Sequence, residues 1–134
     1  MIVYKKVTSQ ELEAVKDIYA ETNWLSYLTD DNQLARAFDH SLYLLGAYHK
    51  DVLVGFVRCI GDGEYMVLVQ DLIVKKAFQQ QGIGSTLFQK VWDQFSHVRM
   101  LHVVTDLEDP VDNHFYQSFG MKKLSEGHMI SYFR

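Results

Sequence analysis

The residues whose types and spacing are best suited to chemistry lie at positions 79–84, in the order Gln-Gln-Gln-Gly-Ile-Gly. Leu72, Ile73 and Val74 precede this turn as a continuous apolar run, which is typical of a strand buried on both faces. Apolar residues then recur at the three-to-four-residue spacing of a helix up to Phe95. The first N–H groups of a helix have no internal acceptor and carry the positive end of its dipole. Because glycines also let a ligand approach the backbone closely, the turn is a candidate phosphate site.

Two common phosphate-binding patterns do not fit this turn. A phosphate-binding loop of the Walker type needs a lysine directly after the second glycine, and Ser85 follows Gly84 here. The dinucleotide-binding fingerprint needs a third glycine at the position that Leu87 occupies. A tight strand-to-helix turn that binds no ligand is the alternative interpretation of these residues taken alone.

Two segments together resemble a known family. The pattern Gln-x-x-Gly-x-Gly at positions 79–84, behind the Leu-Ile-Val strand, resembles the acetyl-CoA pyrophosphate loop of the GNAT superfamily of N-acetyltransferases. The run Phe-Tyr-Gln-Ser-Phe-Gly-Met at positions 115–121 resembles the F-Y-x-x-x-G-F segment of that family, with Met121 in place of the final aromatic residue. The resemblance extends over essentially the whole chain. It implies transfer of an acetyl group from acetyl-CoA, as co-substrate, to a primary amine by direct attack in a ternary complex.

The resemblance also implies where the cofactor binds. Main-chain N–H groups of the turn are expected to face the pyrophosphate, and those of the preceding strand to pair with the pantetheine arm. The residues concerned are Gln79, Gln80, Gln81, Gly82, Ile83, Gly84 and Ser85 for the pyrophosphate, and Leu72, Ile73 and Val74 for the arm. Phe115 is expected to pack against either the cofactor or the core. Many family members carry an asparagine in the loop before the F-Y segment; Asn113 substitutes for it here, or no side chain does.

Tyr116 and Asp71 are the candidate catalytic residues. Tyr116 matches the family's tyrosine, and a phenol with a pKa near ~10 can donate a proton to the leaving thiolate; the alternative is that it only packs. Asp71 is a carboxylate in an otherwise apolar strand, where an unpaired charge would be costly. It is therefore expected either to contact the substrate or its water, as general base, or to form a structural ion pair. Glu64 is the fallback for the base.

The residues that bind the amine acceptor match no motif in the sequence. The resemblance implies that the N-terminal helices form it, so Trp24, Tyr27 and Tyr65 are candidate substrate-lining residues, with core packing as the alternative. The six histidines show no metal-ligand spacing, so no metal site is expected. The resemblance implies a small-molecule or peptide amine as acceptor, and a homodimer is possible because family members often pair. A non-catalytic acyl-CoA-binding regulatory module is the rival function.

Composition narrows the class of protein. The chain has 134 residues, which suits a single domain spanning 1–134, and a net charge of −4, which implies no general affinity for nucleic acid. Cys59 is the only cysteine, so no internal disulfide can form. No apolar run approaches the ~20 residues of a membrane-spanning helix, and the first ten residues lack the features of a signal peptide. A cytoplasmic location is therefore expected.

The order of elements predicts an α/β (α+β) fold. Its mixed, mostly antiparallel central sheet is flanked by helices on both faces, the arrangement of the GNAT fold. Strands are predicted at 1–7, 43–48, 52–60, 65–75 and 100–104, with a parallel crossover between the last two. Short closing strands are predicted at 121–124 and 129–133. Helices are predicted at 12–21, from about 30, at 83–95 and at 111–119.

Overall fold

A five-stranded mixed sheet forms the centre of the structure, a computed structural model that describes all 134 residues. The chain divides into two compact units, Met1–Val103 and Val104–Arg134. The strands of the first unit are β1 (Ile2–Lys6), β2 (Tyr43–His49), β3 (Val52–Gly61), β4 (Met66–Val74) and β5 (Met100–Val103). Its α-helices are α1 (Leu12–Glu21), α2 (Asp31–Asp39) and α3 (Ile83–Gln94). The predicted fold class and the main elements of this unit are confirmed.

The strands lie in sequence order across the sheet. Neighbours from β1 to β4 pair antiparallel, and β4 pairs with β5 in parallel, as the crossover through α3 requires. The turn between β2 and β3 places Lys50 and Asp51 at φ angles of 49° and 64°. Positive φ at both central residues belongs to a type I′ turn, whose twist matches that of the strands it joins.

The two faces of the sheet pack against different helices. On one face, α1 and α2 cover a cluster that includes Phe56 and Ile73, which are paired across β3 and β4. Val57 follows Phe56 and so points to the opposite face, where the apolar side of α3 packs against β2, β3 and β4. The buried residues of α3 are Ile83, Leu87, Phe88 and Val91. Burial on both faces explains why β3 carries an almost continuous apolar run.

One irregularity in β4 positions the candidate site. Pairing with β3 shifts register between Arg58, which lies opposite Asp71, and Cys59, which lies opposite Val69, so Gln70 has no partner on β3. Such a bulge bends the strand and increases its local twist. Pairing with β5 stops at Val69, and no strand pairs with the following residues of β4 on that side. We call this stretch, residues 70–74 on the side away from β3, the free edge.

The second unit contains α4 (Pro110–Ser118) and a short 3-10 helix. The Asp109 side chain caps α4 by accepting hydrogen bonds from Val111 N at 3.0 Å and Asp112 N at 3.1 Å. Pro110 occupies the first turn, where its missing N–H costs nothing. Gly120 follows the helix at φ 85°, and its N–H donates to Gln117 O at 2.9 Å. The predicted roles of the proline and the glycine are confirmed.

The predicted strands at 121–124 and 129–133 are wrong. Leu124–Gly127 forms the 3-10 helix, and His128 at φ 60° turns the chain so that Met129 N donates to Leu124 O at 3.0 Å. The apolar residues that suggested a strand are exposed, with Tyr132 at 87% and Phe133 at 99%. A strand needs a neighbour for its main-chain groups, and here the local turn takes part of those hydrogen bonds instead.

Candidate active site

The glycine turn leaves the start of α3 uncapped. Gly82 is the N-cap residue at φ 82°, no side chain accepts a hydrogen bond there, and Thr86 N to Gly82 O at 3.0 Å is the first helical bond. The N–H groups of Ile83, Gly84 and Ser85 therefore have no acceptor within the helix. A Cβ added at Gly82 would meet nothing within 4 Å, so the space beside this backbone is open.

The free edge of β4 runs directly towards that helix start. Lys75 N donates to Val54 O at 2.8 Å, and hydrogen-bonded pairs alternate along an antiparallel ladder. Ile73 and Asp71 therefore direct their main-chain groups to β3, whereas Leu72 and Val74 direct theirs to the free edge. The Gln79 side chain donates to Val74 O at 2.9 Å and so holds the turn against the strand.

Of the three strand residues that the sequence proposed, Leu72 and Val74 present main-chain groups to the free edge. The N–H and C=O of Leu72 have no strand partner on that side. Ile73 differs, because its main chain faces β3 and its side chain is only 5% exposed in the core. An extended ligand arm could therefore pair with the strand through Leu72 and the N–H of Val74.

Asp71 lies in a buried network. Its carboxylate accepts hydrogen bonds from Arg58 Nε at 2.7 Å, Tyr19 Oη at 2.7 Å and Tyr27 Oη at 2.9 Å. The aspartate is 1% exposed and Arg58 is 5% exposed. Burial, followed by the charge of Asp71, raises the pKa of Tyr19 far above its ordinary value, so that phenol remains a donor. This is the structural ion pair that was the alternative to a general base, and it leaves no exposed oxygen for a substrate.

Tyr27 connects this network to the surface. Its hydroxyl lies 3.1 Å from Gln70 Nε2 and 3.4 Å from Arg58 Nη2, in addition to Asp71. Burial and then the charge of Asp71 raise the pKa of Tyr27. The Tyr27 ring stacks on Tyr19 with centroids 4.3 Å apart.

Trp24 and Tyr27, both proposed to line the acceptor site, lie together. Their ring centroids are 6.1 Å apart at an interplanar angle of 14°, and Trp24 is 38% exposed. Tyr65, the third candidate, is 71% exposed just before β4 begins. It is five residues from Gln70, or roughly 17 Å along an extended strand. The structure therefore does not bring Tyr65 to the other two.

The second unit carries the remaining candidates. Tyr116 is half-buried on α4, and burial together with the negative charge of Asp112 raises its pKa well above the ordinary value. Phe115 meets it edge to face, with centroids 5.2 Å apart. The Asn113 amide donates to Asp106 O at 2.9 Å and Asp109 O at 2.7 Å, so its N–H groups fasten the preceding loop.

The arrangement of side chains gives little support to a metal site or to a nucleophilic cysteine. No group of three or more His, Cys, Asp or Glu residues is arranged to hold a metal ion. Cys59 is buried, and burial raises the pKa of its thiol to about 12, which is the behaviour of a structural cysteine rather than a nucleophile. No helix combines the length and the apolar character that crossing a bilayer requires.

Residues 10–121 match the acetyltransferase (GNAT) family. The chain belongs to the GNAT family. An uncharacterized ycf52-like N-acetyltransferase of Prochlorococcus marinus is 25% identical over 97% of this chain and 73% of its own length. A GNAT acetyltransferase structure from Streptococcus pneumoniae TIGR4 has a TM-score of 0.85 and 31% identity, covering 100% of this chain and 96% of its own. The aminoglycoside N-acetyltransferase AAC(6')-Iy in complex with CoA has a TM-score of 0.74 and 17% identity, with 100% and 94% covered.

Within this GNAT chain, sequence reasoning missed Arg58, Tyr19 and Gln70. Arg58 had a usable signal, because it is the single charged residue in the apolar strand β3, just as Asp71 is in β4. Two lone charges of opposite sign on adjacent strands predict a buried pair, since neither can be buried alone at low cost. Tyr19 and Gln70 had no such signal.

Proposed function

We propose that this GNAT chain is an acetyl-CoA-dependent N-acetyltransferase acting on a primary amine by direct attack in a ternary complex. The observation that carries the proposal is the free edge of β4 running into the uncapped start of α3. A pantetheine arm needs main-chain partners, and a pyrophosphate needs N–H groups at a helix N-terminus. These two requirements occur side by side in this order.

Binding is assigned chiefly to the main chain. The N–H groups of Ile83, Gly84 and Ser85, with those of the turn from position 80, hold the pyrophosphate oxygens, since the N–H of Gln79 already donates to Lys76 O at 3.3 Å. Leu72 pairs with the arm, and an N–H on the free edge polarises the thioester carbonyl. One such donor is typically worth ~3 kcal/mol in the transition state. Bound acetyl-CoA supplies the thioester whose C–S bond breaks as the C–N bond forms.

The proton transfers are assigned to Tyr116 and to water. Tyr116 donates its proton to the departing thiolate, since a phenol is protonated at neutral pH and can act as a donor. The amine must lose a proton when it attacks. The carboxylate of Asp71 is buried and already accepts three hydrogen bonds, so we assign that proton to a water molecule and not to Asp71.

The acceptor is proposed to be a cationic small-molecule or peptide amine. The net charge of −4 mildly favours a cation, and the structurally similar AAC(6')-Iy is an aminoglycoside N-acetyltransferase. The stacked rings of Trp24 and Tyr27 offer an apolar wall next to the free edge. They are proposed to line the acceptor site together with the bulge at Gln70.

Two measurements test the proposal. Adding CoA should raise the melting temperature, because a ligand that binds only the folded state stabilises it. Thiol release from acetyl-CoA should then depend on an added primary amine. Tyr116→Phe should lower turnover by ~10²-fold or more at nearly unchanged CoA affinity, whereas Tyr132→Phe, an exposed tyrosine outside the site, should match the parent protein. Absence of any CoA-dependent stabilisation would overturn the assignment.

A non-catalytic acyl-CoA-binding module is the second candidate. The observation that favours it is the occupied state of Asp71, the one carboxylate in β4, which leaves the free edge without a side-chain base from that strand. This function predicts CoA-dependent stabilisation but no thiol release with any amine, at any pH between 7 and 9. Amine-dependent thiol release above the uncatalysed rate decides for the enzyme.

A further inference from the structure

The buried ion pair fixes the direction of a chain of hydrogen bonds that ends at the surface. Arg58 is 5% exposed, and burying its charge alone would be costly, so Asp71 accompanies it as a carboxylate. A carboxylate only accepts hydrogen bonds. The single proton of the Tyr27 hydroxyl therefore points to Asp71, across the 2.9 Å contact.

This direction determines how Gln70 is oriented. With its proton committed, the Tyr27 oxygen can only accept a hydrogen bond from Gln70, at 3.1 Å. A glutamine amide has a donor end and an acceptor end, so the NH₂ must face Tyr27 and the carbonyl oxygen Oε1 must face away. Gln70 is exposed, and it is the bulged residue at which the free edge begins.

We propose that Gln70 Oε1 is a substrate-binding group that accepts a hydrogen bond from the N–H of the acceptor amine, and that Arg58, Asp71 and Tyr27 position it for this role. The inference rests on the proposed function and names the group that recognises its acceptor. Gln70 and Leu72 are two residues apart, or roughly 7 Å along the strand. An amine held at Gln70 therefore lies within a short side-chain length of a carbonyl held at the free edge.

The chemistry of Gln70 defines what it can recognise. A neutral amide oxygen binds an N–H donor but cannot remove its proton at neutral pH, so Gln70 orients the amine and water takes the proton. The site should therefore accept primary ammonium groups and discriminate against quaternary ammonium groups, which carry the same charge without an N–H. The buried pair and the hydroxyl of Tyr27 act on the amine only through Gln70, so for this hydrogen bond they are positioning groups, whereas the ring of Tyr27 lines the site.

Steady-state kinetics on the full chain test the binding role. Gln70→Met keeps the length of the side chain and removes its acceptor, so the KM for the amine should rise by ~10-fold while the KM for acetyl-CoA stays constant. Tyr27→Phe should move the same constant in the same direction, by less. The matched control is Gln89→Met, which removes an exposed glutamine that bonds Asp93 within α3. Equal amine KM values for Gln70→Met and the control would overturn the proposal.

A second measurement decides the orientation without a known substrate. In ¹⁵N-labelled protein, the side-chain NH₂ signals of Gln70 are those that disappear in Gln70→Met. Tyr27→Phe should shift them and should leave the Gln89 signals in place. With CoA bound, methylammonium should shift the Gln70 signals and tetramethylammonium should not. Unchanged signals in Tyr27→Phe, or equal responses to the two cations, would refute the inference. Failure of CoA to bind would instead refute the proposed function.

Discussion

Asp71→Asn offers the sharpest test of how this site is built. The substitution keeps the shape of the side chain but removes the charge that faces Arg58 Nε at 2.7 Å. The aspartate side chain is 0% exposed and that of the arginine is 6% exposed, so water cannot replace the lost partner. Removing one member of a buried pair typically costs ~3–5 kcal/mol. A domain of this size has a free energy of unfolding of roughly 5–15 kcal/mol, so much of the stability should be lost.

Urea unfolding monitored by the fluorescence of Trp24 and Trp92 measures this change. Arg58→Met combined with Asp71→Asn should be more stable than the sum of the single variants predicts, by ~1–3 kcal/mol, because the two residues interact directly. Asp93→Asn is the matched control, since Asp93 is exposed and its removal should have little effect on unfolding. If Asp71→Asn abolishes turnover while the unfolding midpoint stays within error, the structural account is wrong and Asp71 acts as a base.

Three further predictions follow from the same physical reasoning. Gly82→Ala should destabilise the protein by ~1–2 kcal/mol and weaken CoA binding in a thermal-shift titration, because φ 82° disfavours any Cβ although space is available. Gly82→Asn should destabilise it less, because asparagine tolerates the left-handed conformation better than alanine. Equal destabilisation by the two substitutions would contradict this explanation. Stability should fall as the pH rises from about 9 towards about 12, because the Cys59 thiol ionises near pH 9 in the unfolded chain but has a pKa of about 12 in the folded protein. A melting temperature that stays constant from pH 7 to 11 would contradict this prediction. Asp109→Ala should lower the helical circular dichroism signal and cost ~1 kcal/mol by uncapping α4, whereas Asp109→Ser should retain most of the stability.

Secondary-structure elements could be predicted from the sequence where the local residue preferences agree with the pattern of burial. The apolar run before the glycine turn, the periodic helix after it and the residues Pro110 and Gly120 each have a local physical cause, so the strand, the helices and their ends were predictable. The prediction of strands at 121–124 and 129–133 was wrong, because apolar residues indicate that a segment could pair but not that a partner strand exists. Whether a partner strand exists is decided by the tertiary structure alone.

In the candidate site, too, the features with a local cause could be predicted and those that depend on distant residues could not. The turn at 79–84 could be proposed from its residues, because helix geometry leaves the first N–H groups of the following helix without an internal acceptor. The interpretation of Asp71 depended on Arg58 and Tyr19, which are 13 and 52 residues away in the chain. The lone charge of Arg58 in an apolar strand was a usable signal, but the contact with Tyr19 leaves none in a single sequence. The direction of the Ile73 main chain could not be predicted, because it depends on which strand lies on each side of β4, and a single sequence does not show that pairing.

The bulge at Gln70 has a consequence for how this domain tolerates change. Arg58 and Cys59 are adjacent on β3, and their partners Asp71 and Val69 are two residues apart on β4, so the bulge absorbs one surplus residue without changing the faces of the flanking side chains. Gln70 and Asp71 lie on the same face, since both contact the Tyr27 hydroxyl. Deleting Gln70 should therefore leave Asp71 opposite Arg58 in a regular ladder, whereas deleting Leu72 should turn every later side chain of the strand to the opposite face.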